Sequence, residues 1–387
     1  MPQHIARVAR MGGARGERRR GERRARQRTF GSAGAIKNGA VSDYIFHCRQ
    51  SKRTTQRSML VRPTAARANA FLAARRPVLP VVCGARRVRH TSTAAPAASL
   101  LSTSNDGGVM TIRFTNEKKL NAWTHPLMLS LFEQLKVAAE SPEVRGVVVT
   151  GAGSYYSAGV DLSATIQPMM PSTLIRSLRD QNQYIFSVIL NFPKPLVAAV
   201  NGPAIGAAVT TSILMDAVVA SENATFSLPF AKLGLVPEGC SSHTFPERIG
   251  AERAERMLGA ENWTPTGTEA LESGLIDEVV AGGNDEVHAR AVAIVRERIA
   301  AGGTRRYGAE EHALLSRVNA EESANLANAF VSPPFLRAMR AFNTKRKKPS
   351  IARFFALLET TLPLWRPADI APNYDFDGTP PVLPDRK

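Results

Sequence analysis

Apolar and polar positions alternate through Val109-Met110-Thr111-Ile112-Arg113-Phe114, the mark of a strand with one buried face. The period then changes. Leu127, Leu131, Leu135 and Ala138 recur at helical spacing within residues 122–140, and the Ser141-Pro142 pair after them predicts that the helix stops there. Arg145-Gly146-Val147-Val148-Val149-Thr150 is a continuous apolar run and reads as a strand buried on both faces. A second helix is predicted over 171–190, with Leu174, Leu178, Ile185 and Ile189 on one face, and short buried strands over 196–200 and 217–220. Strands and helices that alternate with short Gly or Pro connections define an α/β domain with a helix-covered sheet over 105–283.

The rest of the chain is patterned as helices: short ones at 251–258 and 268–273, longer ones at 286–300 and 310–330, and a pair at 334–342 and 351–358. Residues 284–362 therefore read as a C-terminal helical region. From Pro363 on the periodicity is lost, and an extended tail that wraps the surface or stays disordered is expected. Before Gly108, the Ala/Ser/Thr-rich stretch 91–104 reads as a linker. There is no internal repeat and no Walker motif, and Gly151-Ala152-Gly153 lacks the spacing of a dinucleotide-binding turn.

With 387 residues, 44% of them hydrophobic, the chain can bury a full core. Its net charge of +17 suggests a nucleic-acid partner until the distribution is considered. Residues 1–100 hold 22 Lys or Arg against three acids, Glu17, Glu22 and Asp43, so the folded part is close to neutral. This extension is rich in Arg, Ala, Ser and Gly and has no apolar run able to span a bilayer. From Met59 to Thr93 it matches an organelle transit peptide, which points to the mitochondrial matrix. An Arg/Gly-rich RNA-binding tail around Gly12-Gly13-Ala14-Arg15-Gly16 is the other reading, disfavoured by the scarcity of aromatics to stack on bases. Cys240 is the one cysteine outside the extension, so no disulfide framework is expected in the folded part, in agreement with a reducing compartment. The terminal Pro384-Asp385-Arg386-Lys387 is unlike the Ser-Lys-Leu address of peroxisomes, which leaves the peroxisome as the alternative location.

Two segments carry the candidate chemistry: Ser157-Ala158-Gly159-Val160-Asp161-Leu162, and Asn201-Gly202-Pro203-Ala204-Ile205-Gly206-Ala207-Ala208. Each places small residues where a strand turns, and there an exposed N–H can reach a substrate oxygen. With Lys118-Lys119-Leu120-Asn121-Ala122 and Thr150-Gly151-Ala152-Gly153, they stand in the order found in the crotonase superfamily, which this chain resembles over most of 105–283. The resemblance implies a crotonase-like fold of repeated ββα units and a coenzyme A thioester substrate. It places two oxyanion donors on the backbone N–H groups of Ala158 and Ala207, the latter opening an apolar helix whose N-terminus would add positive charge. Lys118, Lys119, Leu120, Ser157, Val160, Asp161, Leu162, Gly206 and Phe230 are implied contacts for coenzyme A or the acyl chain, and Ser163 to Thr173 is expected to form a mobile loop over the acyl tail.

Hydratases of the superfamily use two glutamates, and the matching positions here are Thr210 and Phe230, neither able to move a proton. Pro237-Glu238-Gly239-Cys240-Ser241-Ser242 instead resembles the stretch that carries the base of peroxisomal-type Δ3,Δ2-enoyl-CoA isomerases, which maps onto Glu238. Beside an apolar acyl pocket a lone carboxylate would have its pKa raised by desolvation, as suits a group that takes and returns a proton. The plainer reading of Glu238 is a surface carboxylate capping the helix that Ser241 or Ser242 begins. Cys240 with His243 lacks a third orienting group and reads as a buried thiol near a helix start; His125 reads as a helix-start residue. Lys345-Arg346-Lys347-Lys348 reads as a solvated loop.

The resulting expectation is an enoyl-CoA isomerase of fatty-acid β-oxidation that needs no metal or redox cofactor and has no nucleic-acid partner and no membrane span. By the same resemblance it assembles as a homotrimer or a dimer of trimers. Another crotonase activity, hydratase or dienoyl-CoA isomerase, is the alternative within enzymes; a non-catalytic RNA-binding or scaffold protein is the alternative outside them.

Overall fold

The computed structural model describes residues 100–162 and 170–381. The Arg-rich extension with its transit-peptide pattern, most of the expected acyl-tail loop and the last six residues lie outside the described residues. Eight strands are described: β1 (Leu101–Asp106), β2 (Val109–Phe114), β3 (Gly146–Gly151), β4 (Leu196–Val200), β5 (Ala204–Ile205), β6 (Ala217–Ser221), β7 (Phe226–Ser227) and β8 (Glu278–Val280). Among the helices, α1 (His125–Glu140), α2 (Pro171–Leu190) and α3 (Ala207–Ile213) alternate with these strands. They are followed by α4 (Ser241–Ile249), α5 (Ala251–Leu258) and α6 (Gly267–Glu272), and then by α7 (Asn284–Ala300), α8 (Ala309–Phe330), α9 (Pro333–Lys345) and α10 (Pro349–Trp365).

Six strands form one sheet in the order β1-β2-β3-β4-β6-β8, antiparallel at β1–β2 and parallel from there on; β5 and β7 form a separate parallel pair. The strand period of two divides the side chains between two cores. Ile112, Phe114, Val147, Val149, Ala198 and Val218 face the larger core, built with α1, α2, α3 and the helices beyond. Val109, Val148, Val197, Ala199 and Val219 face the other way, onto Val287, Ala291, Val292 and Val295 of α7. With both faces covered, the central strands become the uninterrupted apolar runs seen in the sequence.

The sheet corrects two boundaries. The stretch read as a linker up to Ser104 enters the sheet at Leu101, because β1 pairs along its whole length with β2. Only Leu101 of that strand is buried, so an edge strand leaves almost no apolar signal. Helix α7 lies in the region assigned to C-terminal helices, yet it covers one face of the sheet. The tail is held to the body: Ile370 exchanges two hydrogen bonds with the Asn328 side chain (2.9 and 3.2 Å), and Gln183 and Arg179 of α2 donate to the carbonyls of Asn373 and Ala371. Among the described residues, no helix is long and apolar enough to cross a membrane.

Candidate active site

Two asparagines fasten the turns that follow β2, β3 and β4. Asn121 stands in a left-handed turn and donates to the carbonyls of Ala152 (2.9 Å) and Tyr155 (2.8 Å). Asn201 accepts from the Gly151 amide and donates to the Gly153 carbonyl, both at 3.0 Å. The segment after Tyr156 then runs beside residues 203–205: Ser157 N–H donates to the Pro203 carbonyl (3.3 Å) and Ile205 N–H to the Ser157 carbonyl (3.0 Å). Gly159 has φ +76°, and a Cβ there would overlap the Ile205 carbonyl, so only glycine lets the two segments meet so closely.

This packing redirects one of the expected donors. The Ala158 N–H is engaged by the Leu120 carbonyl at 2.9 Å and is not open to a ligand. The open amide of the segment is that of Val160, which meets no acceptor among the described residues while its neighbours Gly159 C=O and Asp161 N–H bridge to Trp123. Ala207 is the first residue of α3, so its N–H has no partner within the helix. Val160 and Ala207 thus each stand one residue beyond the contact of Gly159 with Ile205 and Gly206. Ser157, expected to touch substrate, is instead fully buried, with its hydroxyl donating to the Asn121 carbonyl (2.8 Å) and accepting from Gly159 N–H (3.1 Å). It shapes the turn rather than lining the site.

A cleft of about 1100 Å³ opens at these amides. Ala158, Val160, Asp161, Leu162, Gly206, Ala207 and Phe230 line it, together with Lys118, Lys119, Leu120 and His125 and with Arg346 and Lys348. The basic loop after α9 therefore borders the cleft instead of being merely solvated. Trp123, Leu178, Ile185, Phe330 and Met339 give the cleft apolar walls. Thr210, at a position where hydratases carry a glutamate, is fully buried and is not among the lining residues; its hydroxyl donates to the Ala207 carbonyl at 3.3 Å.

Glu238 lines the same cleft and is only 8% exposed. It does not cap α4 with its side chain. Its Oε2 accepts from Asn182 Nδ2 at 2.7 Å, while Ser241 N–H and Oγ–H bond to its main-chain carbonyl. Burial pushes its carboxyl up to about 7 from 4.5; the Asn182 bond opposes the rise and the nearby Glu322 carboxyl adds to it. Cys240 is buried, with its thiol on the Leu315 carbonyl (3.3 Å), and does not line the cleft.

Asn182 escaped the sequence reading although a signal was present. It sits four residues after Leu178 and three before Ile185, a polar side chain on the apolar face of α2. The Val160 amide carried no comparable signal, because residue type does not say which N–H of a turn is left unpaired.

A buried carboxyl and two open main-chain amides thus line one cleft, with apolar side chains and exposed cations among its other lining residues. The enoyl-CoA hydratase/isomerase family matches residues 104–332, and the chain belongs to that family of enzymes. It is similar to enoyl-CoA delta isomerase 2 of Rattus norvegicus, 35% identical over 253 residues that cover 63% of this chain and 63% of the rat protein, so the match spans less than two thirds of that relative. It is also similar to the peroxisomal enoyl-CoA delta isomerase 3 of Mus musculus, 33% identical over 264 residues, 67% of this chain and 82% of the mouse protein. The solved structure of an enoyl-CoA hydratase/isomerase from Acinetobacter baumannii covers 65% of this chain and all of its own, with 27% identity and a TM-score of 0.55.

Proposed function

We propose that this protein is a Δ3-Δ2-enoyl-CoA isomerase in which Glu238 is the one proton carrier. The observation that carries the reading is the Glu238 carboxyl itself, buried in the cleft that the free amides of Val160 and Ala207 also line. The thioester oxygen of a 3-enoyl-CoA sits on those two N–H groups, and Glu238 takes a proton from C2. The electron pair of that C–H bond moves into the C2–C1 bond, and the carbonyl π electrons pass to the oxygen, giving an enolate conjugated with the C3–C4 double bond. The amides stabilise this oxygen as its charge grows, each donor contributing about 2.7–4 kcal/mol to lowering the barrier. The carboxyl then gives its proton to C4, the double bond rests between C2 and C3, and Glu238 is again ionised. The balance closes without a metal, an oxidant or a water molecule.

A carboxyl poised near 7 suits both halves of the exchange, since it binds and releases a proton at little cost near neutral pH. With Thr210 and Phe230 in place of the hydratase glutamates, addition of water lacks its second acid. Lys118, Lys119, Arg346 and Lys348 are assigned to the phosphates of coenzyme A, and Phe230, Leu178 and Phe330 to the acyl chain. The relatives from rat and mouse, both called enoyl-CoA delta isomerases, support the same assignment. The exposed apolar residues Phe354, Leu357 and Leu364 of α10 support self-association, which the family resemblance makes a trimer or hexamer and which light scattering of the purified protein tests. The Arg-rich extension supports the mitochondrial matrix, with the peroxisome as alternative, tested by imaging the full chain in cells. For the activity, the protein is offered 3-enoyl-CoA and 2-enoyl-CoA separately. Conversion of the first to the conjugated isomer is expected, and hydration of the second as the dominant reaction would refute the proposal.

A further inference from the structure

Helix α8 supplies two buried polar side chains that the proton transfer does not use. Glu322 is fully buried, and its two carboxyl oxygens accept the backbone N–H groups of Cys240 (2.6 Å) and Ser242 (2.8 Å). A side chain from the helical region therefore caps α4 just after the turn that carries Glu238. That turn needs such a clamp. Gly239 and Cys240 are consecutive left-handed residues, φ +65° and +61°, and the second pays a steric penalty for its Cβ. Backbone of this kind persists only where its surroundings over-determine it. Gly239 admits no side chain, since a Cβ there would lie 2.5 Å from the Phe186 ring and 2.8 Å from the Thr210 side chain.

The next residue on α8, Ser323, is also fully buried. Its hydroxyl donates to Oδ1 of Asn182 at 2.9 Å, with Asn319 Oδ1 at 3.2 Å, and Asn319 is itself anchored to the Gln183 carbonyl and Ser187 hydroxyl. An amide whose oxygen faces a hydroxyl must turn its NH2 the other way, and there Nδ2 meets Glu238.

We propose that Glu322 and Ser323 are positioning residues for the Glu238 carboxyl: Glu322 clamps the turn on which it stands, and Ser323 fixes the amide that binds it. The inference rests on Glu238 being the base. It assigns the holding of that base to the helical region rather than to the sheet and turns that present the amides.

The two residues act on proton affinity in opposite senses. Glu322 brings a second carboxyl near Glu238, which disfavours its ionisation; the Asn182 bond held by Ser323 favours it. Glu322 is itself pushed up to about 7 by burial, with Glu321 adding to the rise, and among the described residues no cation pairs with it. The other ionisable groups that border the cleft are Asp161, His125 and the rim cations Lys118, Lys119, Arg346 and Lys348, none of which either substitution alters.

The test is the pH profile of kcat/KM for 3-enoyl-CoA isomerisation by the full chain, whose acid limb reports the free base. Glu322→Gln should move that limb to lower pH and Ser323→Ala to higher pH, each by roughly half a pH unit, about a threefold change in proton affinity. General damage to the fold cannot produce opposite displacements. Should Glu322→Gln fail to fold, Ser323→Ala decides alone. A folded variant with an unmoved limb, or two limbs moving the same way, would overturn the proposal. Glu238→Gln separates the levels: persistent turnover in that variant refutes the base itself, whereas its inactivity beside unmoved limbs refutes only the positioning.

Discussion

Glu238→Gln is expected to make the protein more stable at pH 8 while abolishing turnover. The carboxyl ionises near 4.5 when free and near 7 in the fold, so the folded state prefers it protonated. For a raised pKa the stabilising contribution of the bound proton is fully present below 4.5 and is lost as pH climbs through 7. At pH 8 the wild-type fold holds an ionised carboxyl at a cost of about 3 kcal/mol, at 1.36 kcal/mol per pH unit. Near-complete burial leaves little solvent screening to reduce that figure. Glutamine keeps the shape and an oxygen for Asn182 Nδ2 but carries no charge, so the cost disappears. Thermal melts of the two proteins should diverge by on the order of 5–10 °C at pH 8 and nearly coincide at pH 4.5. Glu322 titrates in both proteins; its repulsion of the Glu238 carboxylate is already part of that cost and is relieved in the variant. A glutamine variant no more stable than wild type at pH 8 would refute the claim that the fold works against this ionisation.

Gly159→Ala places a Cβ against the Ile205 carbonyl at φ +76°, which must part the segments bearing Val160 and Ala207. A fall in kcat of about 10²–10³, the usual consequence of losing one such donor, is expected in steady-state assays with circular dichroism unchanged; wild-type kcat would speak against the two amides acting together. Arg305→Ala should cost about 3–5 kcal/mol in denaturant unfolding, because Arg305 pairs with the fully buried Asp216 at 2.9 Å and also donates to the carbonyls of Ile189, Phe192 and Leu214. A loss under 1 kcal/mol would mean that Asp216 is satisfied by the Leu196 and Arg306 amides alone.

The central strands and long helices were legible because their patterns are sustained: β2 and β4 lie where alternation and the Val/Ala run placed them, and α8 differs from its expected span by one residue. Elements whose burial leaves no pattern were not. β1 buries one side chain, β8 is three half-buried residues, and β5 and β7 are two residues each. Helix α7 was seen but misplaced, since an apolar helical stripe looks alike whether it covers a sheet or another helix. In the site, the Pro-Glu-Gly context pointed to Glu238, which the fold buries in the cleft, whereas the donor expected at Ala158 falls two residues from the free amide at Val160. Sequence fixes where a turn lies more easily than which of its N–H groups finds an acceptor. Of the supporting polar residues, Asn182 bonds Glu238 directly, while Glu322 and Ser323 act through the Cys240 and Ser242 amides and through Asn182, an arrangement that exists only once α2 packs on α8.

The central claim, one carboxyl moving one proton between two carbons, is tested most directly with 3-enoyl-CoA deuterated at C2. The account predicts that part of the label reappears at C4 of the 2-enoyl-CoA product, the rest lost to solvent from the Glu238 carboxyl, and that Glu238→Gln forms no product. Product formed by the Glu238→Gln variant at the wild-type rate would contradict it.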